Sequence, residues 1–223
     1  MRSASTVRWL LVTTVLVVAI GGAPVQAETN LNFVLGGKLL DSDDWPVGDS
    51  QGSLAFLSTF GPRTWPVQVA IDVVGSGTAE DSFNFSRPGF EIQGEEISQS
   101  TLEFDVGVRK IWRLGNARPF VGGGLAIIWA QQERAIFLPA PPDFCCDEFP
   151  LRPPVIVSDS DESPGGWVDG GIFWRLGKRF NLGLEARFSA AEVRLSGRDV
   201  RAGGVSLGLI LGWGWGGGAR IVG

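Results

Sequence analysis

The 223-residue sequence contains no histidine and no tyrosine, only three lysines and only two cysteines. Each shortage excludes something. Without histidine, the usual general base near neutral pH and the commonest metal ligand are both missing. A serine or acid would then lack its normal activating partner, so the sequence points away from catalysis and supplies no catalytic, cofactor-binding or metal site. A formal charge of -5 and a pI near 4.8 provide no basic face for nucleic acid. The two cysteines are adjacent, Cys145-Cys146, which is neither a disulfide framework nor a zinc motif. Consecutive Cα atoms lie about 3.8 Å apart, so a bridge between them would be strained. A vicinal disulfide and free or intermolecular thiols both stay open.

Glycine, in contrast, is abundant at 32 residues, with no collagen-like period and with many Val, Leu, Ile and Phe residues beside it. At the N-terminus, Arg2 and Arg8 precede the apolar run Trp9 to Ile20, which Gly21, Gly22 and Pro24 interrupt before Val25-Gln26-Ala27. This order is that of a secretory signal peptide, with cleavage expected after Ala27. The run is too short for a retained anchor, and no later stretch reaches the roughly 20 apolar residues of a spanning helix.

From residue 28 onward the hydrophobic period is 2. Strong alternation covers 65–73, 102–109, 180–189 and 205–215, and weaker candidates are 30–40, 53–60, 118–130 and 165–176. The pattern predicts an all-β fold, a closed antiparallel up-and-down transmembrane β-barrel of about eight strands, in one domain over residues 28–215 with a tail over 216–223. The connections 61–64, 114–117 and 177–179 are short, whereas 41–52, 75–97, 131–164 and 192–203 are long. Even strand number then places all short turns at one end and all long loops at the other, as in outer-membrane barrels. The loop 131–164 is rich in proline and acids and is expected to be solvated, exposed outside the cell and the most mobile part of the protein.

Alternation alone would also suit a soluble barrel with an apolar interior. The polar face decides between them, because it mixes Gly, Ala and Ser with opposed charges, a composition suited to a narrow lumen in which charges must pair. The expected lumen network is Lys38, Asp72, Glu103, Asp105, Arg109, Asp169, Arg175, Glu185 and Arg187, with Glu103 and Arg187, and Asp105 and Arg109, as first guesses at partners. Such a lumen is more a packed core than a pore. Trp65, Trp112, Trp174, Trp213 and Trp215 fall at the short-turn end, Trp129 and Trp167 near the long-loop end, and together they are expected to form lipid-interface girdles. The short-turn end is basic, with Arg63, Arg113, Arg118, Lys178 and Arg179. Asp41-Ser-Asp-Asp44 lacks the Gly and Glu positions of a calcium loop and reads as solvated.

The stretches 117–126 (ARPFVGGGLA) and 170–188 (GGIFWRLGKRFNLGLEARF) resemble the small OmpA-like outer-membrane β-barrels. The resemblance implies a monomer that reaches the outer membrane of a Gram-negative-type bacterium through the periplasm and is inserted by the barrel-assembly machinery into outer-membrane lipids. Two departures stand out: no peptidoglycan-binding domain follows, and the chain does not end on an aromatic residue. The function expected is a non-catalytic structural or surface-interaction role in the cell envelope. The alternatives are a narrow channel for small or hydrophobic solutes and a soluble periplasmic ligand-binding barrel.

Overall fold

A computed structural model describes residues 27–45, 50–62, 64–86, 91–136 and 155–216, with the side chains of 79–86, 91–96 and 136 left aside. Residues 1–26, Arg63, Cys145, Cys146 and most of the 131–164 loop therefore lie outside the described residues. The strands are β1 (Ala27–Leu39), β2 (Ser50–Pro62), β3 (Gln68–Ser86), β4 (Glu91–Ile111), β5 (Ala117–Ile136), β6 (Val155–Leu176), β7 (Phe180–Ala190), β8 (Glu192–Leu195), β9 (Arg198–Arg201) and β10 (Gly204–Trp215). Eight of them, β1 to β7 and β10, close into an antiparallel barrel in which β1 pairs with both β2 and β10. All eight expected strands are present, in the expected order. Turns at 64–67, 112–116 and 177–179 share one end of the barrel, and Gly115 and Gly177 take the positive φ values that their reversals need.

The structure corrects the loop lengths. Most of 75–97 is strand, because β3 runs to Ser86 and stays paired with β4 from Glu91. Likewise β5 and β6 remain paired out to Ile136 and Val155. Above a bilayer a ladder needs only its backbone hydrogen bonds, and neither face has to be apolar. The hydrophobic period therefore fades while the strands continue. The 192–203 loop is also ordered: β8 and β9 form a hairpin around Ser196-Gly197, both at positive φ (52° and 76°), as a type I′ turn requires.

Alternation sorts the barrel wall into two faces. Phe33, Leu35, Leu54, Leu102, Val106, Leu125, Val168, Leu184, Leu207 and Leu209 point outward and are exposed, while Lys38, Glu103, Asp105, Arg109, Asp169, Glu185 and Arg187 on the same strands point inward and are buried. This is the inverse of a soluble barrel. It is the arrangement of a strand-built membrane span, whose outer band faces hydrocarbon. Hydrogen exchange should distinguish ladder from loop: amides of Thr78, Ala79 and Ser98 to Ser100 are expected to be protected well beyond loop values, and free exchange there would contradict the extended β3–β4 pairing.

Candidate functional site

The interior is stacked in three polar levels beneath an apolar plug. Nearest the short turns, Arg175 donates from Nε to Asn181 Oδ1 at 2.7 Å and from Nη2 to Asn30 Oδ1, and Asn181 donates to Asn32 Oδ1 at 2.8 Å. Buried Glu28 accepts from Arg113 Nε at 2.9 Å and lies 3.8 Å from Arg175. Arg118 donates to the Gly115 carbonyl at 2.6 Å, tying its own turn. Part of the basic collar thus serves the barrel end itself.

The middle level is governed by register. Asp72 on β3 stands directly opposite Asp105 on β4, so two carboxylates are adjacent on one wall. Like charges so placed repel, and a cation must stand between or against them. Arg187, from β7, supplies it, reaching Asp72 and Asp105 together and also Glu185 at 3.1 Å and Asp169 at 3.5 Å. Arg109 binds Asp72 at 2.7 Å and also pairs with Asp169. Arg109 and Asp169 face each other across Gly122, whose place in the register lies between theirs, and a Cβ there would fall 2.5 Å from Asp169 Oδ1. At the level below, a Cβ on Gly214 would collide with Arg175 Nη2. These lumen glycines make room for guanidinium and carboxylate groups.

Trp167 is 2% exposed and projects inward, with the Arg187 guanidinium 4.8 Å and that of Arg109 5.6 Å from its ring. Its expected place in the lipid girdle is therefore incorrect: it is a lumen residue whose π face contacts the two central cations. Its odd position on β6, shared with Asp169 and Phe173, carried that signal. Trp65, Trp112, Trp174, Trp213 and Trp215 are exposed and gather at the short-turn end. Trp129 lies on the outward face toward the other end and donates to Glu162.

At the upper level, Lys38 pairs with Glu103 and donates to Thr101 Oγ1 and the Ala202 carbonyl, both at 3.2 Å. Ser189 also donates to Glu103, at 3.1 Å. The structure thus gathers all nine expected lumen residues inside, none more than 7% exposed. The guessed partners differ from the observed ones, since Glu103 meets Lys38 and Asp105 meets Arg187. Cross-strand register and barrel shear set these partners, and alternation reveals neither.

Above Lys38 the β8–β9 hairpin folds over the barrel mouth. Val193, Leu195, Val200 and Ala202 are buried against Leu40, Trp45, Ala130 and Ala191. Trp45 Nε1 donates to the Arg201 carbonyl at 2.7 Å, and Asp161 accepts from the Arg194 amide at 2.7 Å. Arg201 also pairs with Asp41, and Asp44 accepts from the Arg201 amide at 3.1 Å. The backbone N–H of Asp43, and then Arg201, hold the Asp41 carboxyl below its ordinary range. The Asp41–Asp44 segment is thus a brace for the plug. Sequence reading missed the hairpin, although the Ser-Gly turn flanked by Val and Leu was its signal.

An eight-stranded closed barrel with an apolar exterior, outward tryptophans and a packed ionic interior is the architecture of a small outer-membrane β-barrel. No family model matches the chain, and no curated protein matches it. Among solved structures it is similar to the outer membrane protein OprG from Pseudomonas aeruginosa, at 11% identity and a TM-score of 0.47 over 87% of this chain and 98% of that one. It is similar also to Ail, the attachment invasion locus protein of Yersinia pestis, solved with the heparin analogue sucrose octasulfate, at 11% identity and TM-score 0.45 over 85% and 99%. A major outer membrane protein from Thermus thermophilus matches at 13% identity and TM-score 0.43 over 84% and 98%.

The observed partners set the energetics. Arg187→Ala leaves buried carboxylates without their shared cation and should lower unfolding stability by about 3–5 kcal/mol. In urea unfolding from lipid vesicles, Lys38→Ala with Glu103→Ala should couple by about 0.5–3 kcal/mol. The Glu103→Ala and Arg187→Ala pair should couple less. Additive, sub-kcal effects throughout would mean that these groups are hydrated.

Proposed function

We propose that the protein is a non-catalytic outer-membrane barrel that works as a monomer, anchored by its apolar wall and presenting its long-loop end to the outside of the cell. Export by the N-terminal signal and insertion by the barrel-assembly machinery into outer-membrane lipid complete this reading. The observation that carries it is the inside-out distribution of side chains around the Arg187 junction. An apolar exterior has a physical use only against hydrocarbon, and the crowded ionic interior fills the space that a conduit would need. A soluble ligand-binding barrel would require the opposite faces. The extended β3–β6 strands and the braced hairpin give the exposed end an ordered surface, which supports contact with other molecules over transport.

Two measurements test the proposal, and a third tests its topology. Cell fractionation should recover the protein in the outer membrane with heat-modifiable gel mobility, and recovery from the soluble periplasm would refute membrane insertion. In planar bilayers the refolded wild type should show no discrete conductance. Reproducible steps would replace the packed-lumen reading with the channel. Protease treatment of intact cells should cut within 137–154 and spare the turn at Lys178, and the reverse pattern would invert the topology.

A further inference from the structure

Between the plug hairpin and the inner face of β4–β6 lies a cleft of about 360 Å³ that opens at the long-loop end. That volume falls within the range of about 300–1,000 Å³ usual for small-molecule sites. Its wall carries two side-by-side amides, Gln99 on β4 and Gln132 on β5, which are direct cross-strand partners. Gln99 is 1% exposed, yet neither its Oε1 nor its Nε2 has a hydrogen-bond partner. A buried amide with both groups unsatisfied is costly, because each loses its hydrogen bonds to water and gains none in return. It is the feature of the cleft that itself points to a ligand.

We propose that this cleft binds an uncharged polyhydroxylated ligand of saccharide type. A carboxamide can accept from one hydroxyl and donate to its neighbour, so Gln99 matches a vicinal diol. Across the cleft, Asp43, Asp199 and Arg198 offer further acceptors and donors for hydroxyls, while Trp45, Val157 and Leu195 supply apolar surface for the C–H face of a sugar ring. Asp44 and Asp159 also line the cleft, but their carboxylates already accept from the amides of Arg201 and Ser196. With these four aspartates against Arg134 and Arg198, the lining repels a sulfated or phosphorylated ligand. The site deepens the surface-interaction reading and rests on it only for the direction from which a ligand arrives.

The test uses the full mature chain refolded in detergent, with sucrose, trehalose and glucose as neutral probes and sucrose octasulfate and spermidine as charged ones. Saturation-transfer NMR and calorimetry should show binding of at least one neutral sugar and no comparable binding of sucrose octasulfate. Gln99→Leu should weaken that binding at least tenfold while heat-modifiable mobility shows the barrel intact. Asp199→Ala, an exposed hairpin change, should weaken it severalfold. Absence of binding by all three neutral sugars would overturn the proposal. So would unchanged affinity in Gln99→Leu, or binding of spermidine alone. None of these failures would alter fractionation or protease topology, which test the membrane reading separately.

Discussion

The structure turns on the meeting of Arg187 and Arg109 with Asp72, Asp105 and Asp169 at the centre of the lumen. In a closed barrel of eight strands the interior is too narrow for bulk water, so any charge placed there must find its partner within the protein. Opposing Asp72 and Asp105 on neighbouring strands would destabilise closure unless a cation from the far wall reached them. Arg187 does so only in one register of β7, which makes the ionic junction a specification of strand pairing as well as a source of stability. Trp167, with both guanidinium groups close to its ring, limits the positions they can occupy.

The same constraint explains much of the composition. Lipid outside and ion pairs inside leave each strand little choice of side chain, and glycine supplies the remaining freedom by giving bulky charged groups space at Gly122 and Gly214. The lower and upper levels repeat the logic with milder chemistry, using the asparagine network around Arg175 and the hydroxyl and carbonyl partners of Lys38. Above them the solution changes from polar to apolar, where Val193, Leu195 and Val200 close the mouth.

Period-2 patterning made the barrel, its strand order and the inward set from Lys38 to Arg187 legible, because lipid and lumen impose opposite demands on successive residues. Partner identity was not legible, since Glu103 finds Lys38 through shear between strands far apart in sequence. Trp167 misled for a related reason: an indole suits an interface and a cation equally, and only its parity beside Asp169 told them apart. The upper parts of β3 to β6 escaped notice because outside the bilayer their pairing no longer depends on apolar residues. The hairpin plug was hidden by its position in a segment assigned to a loop by length, and Gln99 carried no signal until its surroundings were in place.

Those upper strands have a bearing on how the molecule can diversify. Beyond Gly77, the last residue paired with β2, the nine residues 78–86 continue for about 30 Å along the strand direction. Here the ladder of backbone bonds to β4 holds the chain together. On the proposed topology this ladder stands at the outer end, where a change of sequence has only to preserve strand pairing, and the folding information stays below it, in the wall that lipid and salt bridges keep fixed.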